Sequence, residues 1–260
     1  MPRCFGRLPH DPVRLAKAPQ LAKYSSLAVA NPPSRLDRSS VKAAFQMGDN
    51  DVDPDCTGAG YFNLAIMVAE LMGYGLNVLP GSASKLYAQT VGIDPTNAAA
   101  IAASGGAMLM DLLTRQATQG ASTGNDLLFG EPGVLPLTRN ALANAMDRLG
   151  GAEIGVDFTD LDTQTLDDPA IVWDIQAGPY LPTEGHALVA LDYTGLGDLD
   201  TVRLCSWGLD TYHATWRWID SRSPERHGVC WRQLLPAGTE KNWAGVDWAG
   251  MAAEAAALAA

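Results

Sequence analysis

The chain has little positive charge and no long apolar run, and each shortage removes a class of function. Its 18 Lys and Arg residues stand against 29 Asp and Glu residues, so its net charge is −11. This balance argues against nucleic acid as a partner, because phosphate binding needs basic patches. No apolar stretch reaches the ~18 residues of a transmembrane helix, and residues 1–12 lack the apolar core of a secretory signal. We therefore expect neither a membrane span nor a signal peptide.

Cysteine is also sparse. Four cysteines are spread along the chain at positions 4, 56, 205 and 230, and none forms a Cys-x-x-Cys pair. Such spacing does not suit a zinc knot, and the number is low for a disulfide scaffold. We expect reduced thiols, with Cys4 and Cys230 serving as small apolar side chains.

Composition and local pattern divide the chain into three regions. Residues 1–40 are rich in Pro, Arg, Lys and Ser, and they predict an extended arm that docks on a folded unit. Residues 41–236 form the predicted domain. Residues 237–260 are an Ala-rich tail that either forms a helix or frays. No internal repeat interrupts this order.

Helices come first in the predicted domain and strands come afterwards. Helical spacing of apolar residues predicts helices at 57–72, 84–91, 97–118 and 138–149. Short β-rich runs separated by Gly, Asp and Pro predict strands at 153–156, 170–174, 186–193, 201–206, 213–219 and 229–234. This order predicts an α+β fold, with a helical N-terminal half packed against an antiparallel sheet or half-barrel in the C-terminal half.

Cys56 lies where the first of these helices begins. The preceding Asp53-Pro54-Asp55 breaks any earlier helix, and small residues after the cysteine keep its sulfur accessible. A helix N-terminus stabilises a thiolate through its dipole and unpaired N–H groups, which lowers the cysteine pKa. The two neighbouring carboxylates oppose ionisation, so a cationic partner is required. A buried helix cysteine without chemical function is the alternative interpretation.

His186 is the histidine best placed to be that partner. The chain has four histidines, and His186 alone follows a glycine at the start of a predicted strand. A Cys–His pair is the minimum for thiol catalysis, in which imidazole activates the sulfur. The next predicted strand ends in Ser206-Trp207-Gly208. The alternative is a structural histidine, the interpretation we adopt for His10, His213 and His227.

These motifs, and their order along the chain, resemble those of papain-like cysteine peptidases. The resemblance extends over about residues 8–235 and is greatest to papain-like proteins encoded by bacteriophages and bacteria. It implies a papain-like fold, Cys56 as nucleophile and His186 as general base. It also implies that Asn50, upstream of Cys56, supplies the side-chain amide of the oxyanion hole, and that Trp207 covers the pair and excludes water.

The sequence departs from the superfamily pattern at the third catalytic position. Cys205 stands where papain-like enzymes have Asn, and a thiol orients imidazole poorly. Asp192 or a backbone carbonyl is then expected to hold His186. In addition, Thr57 replaces the Trp that commonly follows the nucleophile, and Asn50 is shorter than the usual Gln.

Two functions follow from the resemblance. The first is a cysteine peptidase or amidase that needs no cofactor or metal and cleaves a peptide, isopeptide or peptidoglycan-like substrate. The second is a structural component of a phage particle that retains the fold without the chemistry and contacts other phage proteins through residues 1–40. Either function places the protein in a virion or in the host cytoplasm.

Overall fold

A computed structural model describes residues 4–21, 31–235 and 238–259. Its helices are α1 (Pro12–Lys17), α2 (Cys56–Leu71), α3 (Ser82–Val91), α4 (Ala98–Ala102), α5 (Leu109–Gln119), α6 (Arg139–Leu149), α7 (Asp160–Thr163), α8 (Trp216–Arg222) and α9 (Trp248–Ala259). Its strands are β1 (Ala121–Ser122), β2 (Leu127–Leu128), β3 (Gly130–Val134), β4 (Ala152–Thr159), β5 (Val172–Trp173), β6 (Pro182–Tyr193), β7 (Thr201–Ser206), β8 (Leu209–Thr215) and β9 (Glu225–Trp231).

The helices of the first half pack against a sheet built by the second half. The sheet has the order β3-β9-β4-β6-β7-β8-β5. Its neighbours are antiparallel except β5 and β8, which run parallel. Helix α2 lies against β6 in the centre of this sheet. The α+β class predicted from the sequence is confirmed.

Helix α2 is buried along almost its whole length. Its residues from Cys56 to Ala69 are all buried, which suits a helix that is apolar on every face. Gly58 allows α3 to approach closely, since a Cβ at this position would lie 2.6 Å from the Ala83 carbonyl oxygen. The helix ends before Gly73, whose φ of 84° reverses the chain.

The sheet register brings the ends of β6 and β7 together. His186 in β6 pairs with Val156 in β4, and Val189 pairs with Cys205 in β7. Irregularities in the β6–β7 and β7–β8 pairings occur within the same strands, between Ala190 and Asp192 and between Leu204 and Ser206. Bulges of this kind re-aim side chains at the end of a strand.

The described part of the N-terminal arm packs on the chain's own domain. Leu21 is buried in the core, and the buried Arg38 donates to the carbonyl oxygens of Met146 and Asp147. Helix α1 also lies within this arm, beginning after Asp11, which accepts from the N–H of Val13 at 2.9 Å. Residues 1–3 and 22–30 of the predicted arm lie outside the described residues. The division at residues 40 and 236 stays a prediction.

Two predicted elements differ in the structure. The helix expected over 97–118 is divided into α4 and α5, because Gly105 and Gly106 intervene and Gly106 has a φ of 105°. The strand expected over 213–219 turns at Thr215, whose hydroxyl accepts from the N–H of Trp218 and begins α8. Strand β3 was not predicted, since its Gly-Glu-Pro-Gly run has the composition of a turn.

The Ala-rich tail forms α9, one of the two forms that its composition allows. In the part of the chain that the structure describes, no helix is both long and apolar enough to cross a bilayer.

We expect the packing of α2 to dominate stability. Leu64 is fully buried in the middle of this helix. Leu64→Ala should lower the free energy of unfolding by about 3 kcal/mol, because a cavity is added to the lost transfer energy. Leu137→Ala, at a position that is 56% exposed, should cost less than ~0.5 kcal/mol. Urea denaturation followed by circular dichroism measures both. Similar losses of unfolding free energy in the two variants would contradict the central place of α2 in the core.

Candidate active site

Cys56 is the first residue of α2, as its sequence context predicts. The backbone N–H groups of Ala187 and Gly6 are close enough to its sulfur to act against the rise of the thiol pKa. Ala187 follows His186 directly in β6, so the start of the helix and the start of the histidine strand meet at this sulfur. The structure therefore brings together two elements separated by more than a hundred residues of sequence.

His186 is held by two side chains from the end of β7. Its Nε2 atom lies 2.8 Å from the Ser206 hydroxyl, within hydrogen-bond distance. Its ring stacks on the indole of Trp207, with a centroid separation of 4.2 Å and an interplanar angle of 14°. Trp207 has a φ of 46°, a costly conformation for a bulky residue that the surrounding structure must enforce. These contacts fix the plane of the imidazole.

Ser206, and not Cys205 or Asp192, bonds Nε2 of His186. Cys205 is buried in the apolar cluster that includes α2, because alternate residues of a strand face opposite sides of the sheet. The Asp192 carboxylate accepts from Nε of Arg203 at 2.9 Å and from the backbone N–H of Arg38 at 3.0 Å. The structure thus corrects the expectation that Asp192 holds the imidazole.

Asn50 lies in the turn before α2 and is 1% exposed. Its Nδ2 atom donates to the Asp53 carbonyl oxygen at 3.1 Å. A primary amide carries two N–H donors, so this bond uses one of them. The role of Asn50 in an oxyanion hole stays a prediction.

Residues 4–8, which we call the covering segment, lie over the site. The segment is fixed by backbone hydrogen bonds on both sides of the cleft. These bonds run from Cys4 N to Asn50 O (3.0 Å), from Arg7 N to Gly185 O (3.0 Å), from Ala107 N to Gly6 O (2.7 Å) and from Leu8 N to Ala107 O (2.9 Å).

The side chains of the covering segment close the site to solvent. The Phe5 ring lies 5.7 Å from the His186 ring and 6.1 Å from Trp207, both edge to face. Gly6 passes so close to the turn before α2 that a Cβ would overlap the Pro54 carbonyl oxygen. Cys56 is consequently 2% exposed and His186 1% exposed. A substrate reaches them only if this segment moves.

Closure has an electrostatic effect on the thiol. Burial raises the pKa of Cys56 to about 12, and the Asp55 charge acts in the same direction. The N–H groups of Ala187 and Gly6 and the charge of Arg7 oppose the increase without cancelling it. The lowered pKa expected from the helix N-terminus is therefore wrong for the closed form, because desolvation outweighs the helix dipole.

Sequence reasoning missed the covering segment and the bond to Ser206. Residues 4–8 were assigned to an arm without a specified binding place, although Phe5-Gly6-Arg7 combines an aromatic, a glycine and a cation. Ser206 lies in the Ser-Trp-Gly motif, but the resemblance to papain-like enzymes points to its neighbour Cys205. Alternation along β7 was the signal that distinguishes these two residues.

Over the described ranges, no group of three or more His, Cys, Asp or Glu side chains is arranged to hold a metal ion.

The sequence matches no protein-family model and no curated protein. Solved structures do match the fold. Xylellain, a cysteine protease from Xylella fastidiosa, aligns with a TM-score of 0.60 and 14% identity over 87% of this chain and 96% of that one. Procathepsin L 3 from the larval midgut of Tenebrio molitor aligns with a TM-score of 0.55 and 12% identity over 88% of this chain and 75% of that one.

A third match comes from a structural study of the mite allergens Blo t 1 and Der p 1. It has a TM-score of 0.54 and 8% identity over 85% of this chain and 78% of the matched chain. The chain thus has a papain-like fold, as the resemblance of its motifs implies.

Thiol reactivity should reflect closure of the site. Of the four free cysteines, Cys4 is partly exposed and the other three are buried. We expect limiting iodoacetamide to modify Cys4 first, with Cys56 protected by its burial and raised pKa. Peptide mapping after timed quenching measures the order. Modification of Cys56 as fast as Cys4 in the unaltered chain would contradict the closed arrangement.

Asp55 should make stability depend on pH. Burial raises the pKa of this carboxyl to about 8, against ~3.9 in an unfolded chain. Between these values the folded state binds the proton more tightly, so this group's contribution to stability falls as pH rises from ~4 to ~8. Asp55→Asn should therefore gain stability over the unaltered chain between pH 5 and pH 8.

The measurement is urea denaturation of both proteins at the two pH values. Asp126→Asn, at an exposed aspartate, is the matched control and should show no such change. An Asp55→Asn difference that stays constant with pH would show that Asp55 is ionised throughout.

Proposed function

We propose that the protein is a papain-like cysteine peptidase or amidase whose site is closed by residues 4–8. One observation carries the proposal. The Cys56 sulfur lies at a helix N-terminus beside the strand of His186, while Ser206 and Trp207 fix the plane of that imidazole. This combination meets the requirements of nucleophile, base and orienting group in thiol catalysis.

The reaction begins when the covering segment moves aside. His186 accepts the thiol proton of Cys56, and the sulfur attacks the carbonyl carbon of the scissile amide. The tetrahedral oxyanion is stabilised by the Cys56 backbone N–H and by Asn50, after rotation of its side chain. His186 then protonates the leaving amine, the C–N bond breaks and a thioester remains. Water, deprotonated by His186, hydrolyses the thioester and regenerates the thiol.

Ser206 has the orienting part in this scheme. Its hydroxyl can accept from Nε2–H of His186, which leaves Nδ1 as the basic nitrogen. A hydroxyl orients imidazole less strongly than a charged carboxylate, but orientation is the lesser requirement. If Ser206 orients His186, the site does not need the Asn that papain-like enzymes have at the position of Cys205.

A non-catalytic phage structural component is the second candidate. Cys205 at the usual Asn position and the inaccessible site favour it. Packing of the described arm residues on the same chain favours the enzyme, because Arg7 bonds the Gly185 carbonyl and Arg38 bonds the Met146 carbonyl of its own domain. Phage origin itself rests on the sequence resemblance.

Opening the site tests the proposal. Gly6→Ala in the full chain should displace the covering segment, since the added Cβ has no room beside Pro54. A destabilisation of the closed form by ~1.4 kcal/mol raises the open population tenfold, so hydrolysis of a fluorogenic peptide library should rise by at least about that factor. Phe5→Ala is a second opening variant that preserves the backbone.

The controls separate opening from catalysis. Gly75→Ala, at an exposed glycine outside the covering segment where a Cβ would meet only Glu70 Oε1 at 3.7 Å, should leave the rate unchanged. Cys56→Ala or His186→Ala in the opened chain should lower the rate about a thousandfold or more. Folded, opened variants that hydrolyse nothing and do not alkylate at Cys56 would exclude the peptidase and leave the structural role.

A further inference from the structure

Arg7 is a buried cation contributed by the covering segment. Its side chain is fully shielded from solvent, while its backbone N–H bonds the carbonyl oxygen of Gly185, the residue before His186. Arginine is rarely buried unless its charge is paired. The surroundings of this guanidinium therefore form a defined binding place next to the candidate active site.

Three acceptors from the strands surround the guanidinium. Nη1 donates to Glu225 Oε1 at 2.7 Å, and Nη2 is paired with the Asp157 carboxylate and lies 3.3 Å from the Val156 carbonyl oxygen. Glu225 belongs to β9, and Asp157 and Val156 belong to β4. The acceptors are thus part of the sheet, whereas the cation they hold belongs to a segment that must move for a substrate to enter.

Glu225 is suited to permanent negative charge. Burial alone raises the pKa of this carboxyl, but His227 and Arg7 together hold it below its usual value. Its side chain is completely buried, and its second oxygen lies 3.4 Å from Nε2 of His227. If Arg7 leaves, this buried carboxylate loses its shorter ion pair and keeps only the longer contact with His227, which is costly unless another cation takes the place of Arg7.

The Arg7 site borders a cavity. A cavity of about 330 Å³ adjoins Arg7 and is lined by Gly105, Asp157, Glu184 and Gly185 among other residues. The Asp157 side chain is 25% exposed, so it forms the rim, and Glu225 forms the base. A substrate side chain that entered from this cavity would meet Asp157 first and Glu225 afterwards.

We infer that Glu225, Asp157 and the Val156 carbonyl form a specificity pocket for an arginine side chain of a peptide substrate, which Arg7 occupies internally while the site is closed. This inference rests on the proposed peptidase function and names its substrate class. Arginine fits better than lysine, because a planar guanidinium donates to acceptors on two sides at once. The pocket is the part of the cleft that selects the substrate.

Matched substrates test the pocket. In the opened Gly6→Ala chain, a positional peptide library should show one position at which Arg is favoured. At that position, Arg should exceed norleucine in kcat/KM by at least about tenfold, as expected for one charge-assisted contact. Asp157→Asn and Glu225→Gln should each reduce this ratio severalfold while hydrolysis of the norleucine peptide persists.

Asp126→Asn is the matched control, because this carboxylate is exposed and lies outside both the cavity and the set of groups bonded to Arg7. For this control, the ratio of kcat/KM between the Arg and norleucine peptides should equal that of the Gly6→Ala parent. Asp157 lies at the rim, so Asp157→Asn remains informative if the deeper Glu225→Gln fails to fold. A library without preference for basic residues, or a ratio that Asp157→Asn leaves unchanged, would overturn the inference.

A binding measurement distinguishes failure of the pocket from failure of the peptidase proposal. A fluorescein-labelled peptide of sequence Phe-Gly-Arg-Leu is titrated with the chain carrying Gly6→Ala and Cys56→Ala, alongside the same peptide with norleucine for Arg. At least tenfold tighter binding of the Arg peptide supports the pocket even if no peptide is ever cleaved. Equal binding, together with cleavage of other peptides, rejects the pocket and leaves the peptidase intact.

Discussion

Burial of α2 is the constraint on which the rest of the structure depends. A helix that is apolar on every face is stable in water only if something covers each side. The sheet covers one side, α3 and α5 cover others, and the turn at Asp53–Asp55 covers the beginning. Because the helix cannot shift in this enclosure, the position of its first residue, Cys56, is fixed relative to β6. The site therefore inherits its geometry from the core.

The same enclosure has opposite effects on structure and chemistry. Covering Cys56 and His186 completes the apolar packing around Phe5 and Trp207, but it also removes water from a thiol that reacts as an anion. Desolvation then raises the pKa of Cys56 by more than the helix dipole lowers it. The closed form is thus also the form in which the Cys56 thiol is a weak nucleophile. The covering segment determines accessibility and ionisation together, without any change in the residues beneath it.

Local signals made much of the fold and part of the site predictable. The start of α2 followed from Asp53-Pro54-Asp55 and the apolar run after it, and His186 followed from its position at the head of a strand. The predictions that failed concern features that are set by tertiary structure. Which of Cys205 and Ser206 faces His186 depends on strand register, and the place of Arg7 depends on carboxylates contributed by β4 and β9. Alternation along β7 places Cys205 and Ser206 on opposite faces, but the face that meets His186 is set by register and not by the local sequence.

The polarity of the covering segment has a consequence for its lifetime. The group that faces the Cys56 sulfur from this segment is the N–H of Gly6, and thiol attack requires the carbon of a carbonyl. The segment also forms an isolated parallel bridge, in which Arg7 pairs with Ala107 between α4 and α5. In the proposed peptidase, the segment would therefore cover the sulfur without presenting a carbonyl carbon to it. Detachment of the segment, and not its cleavage, would then be the step that exposes Cys56.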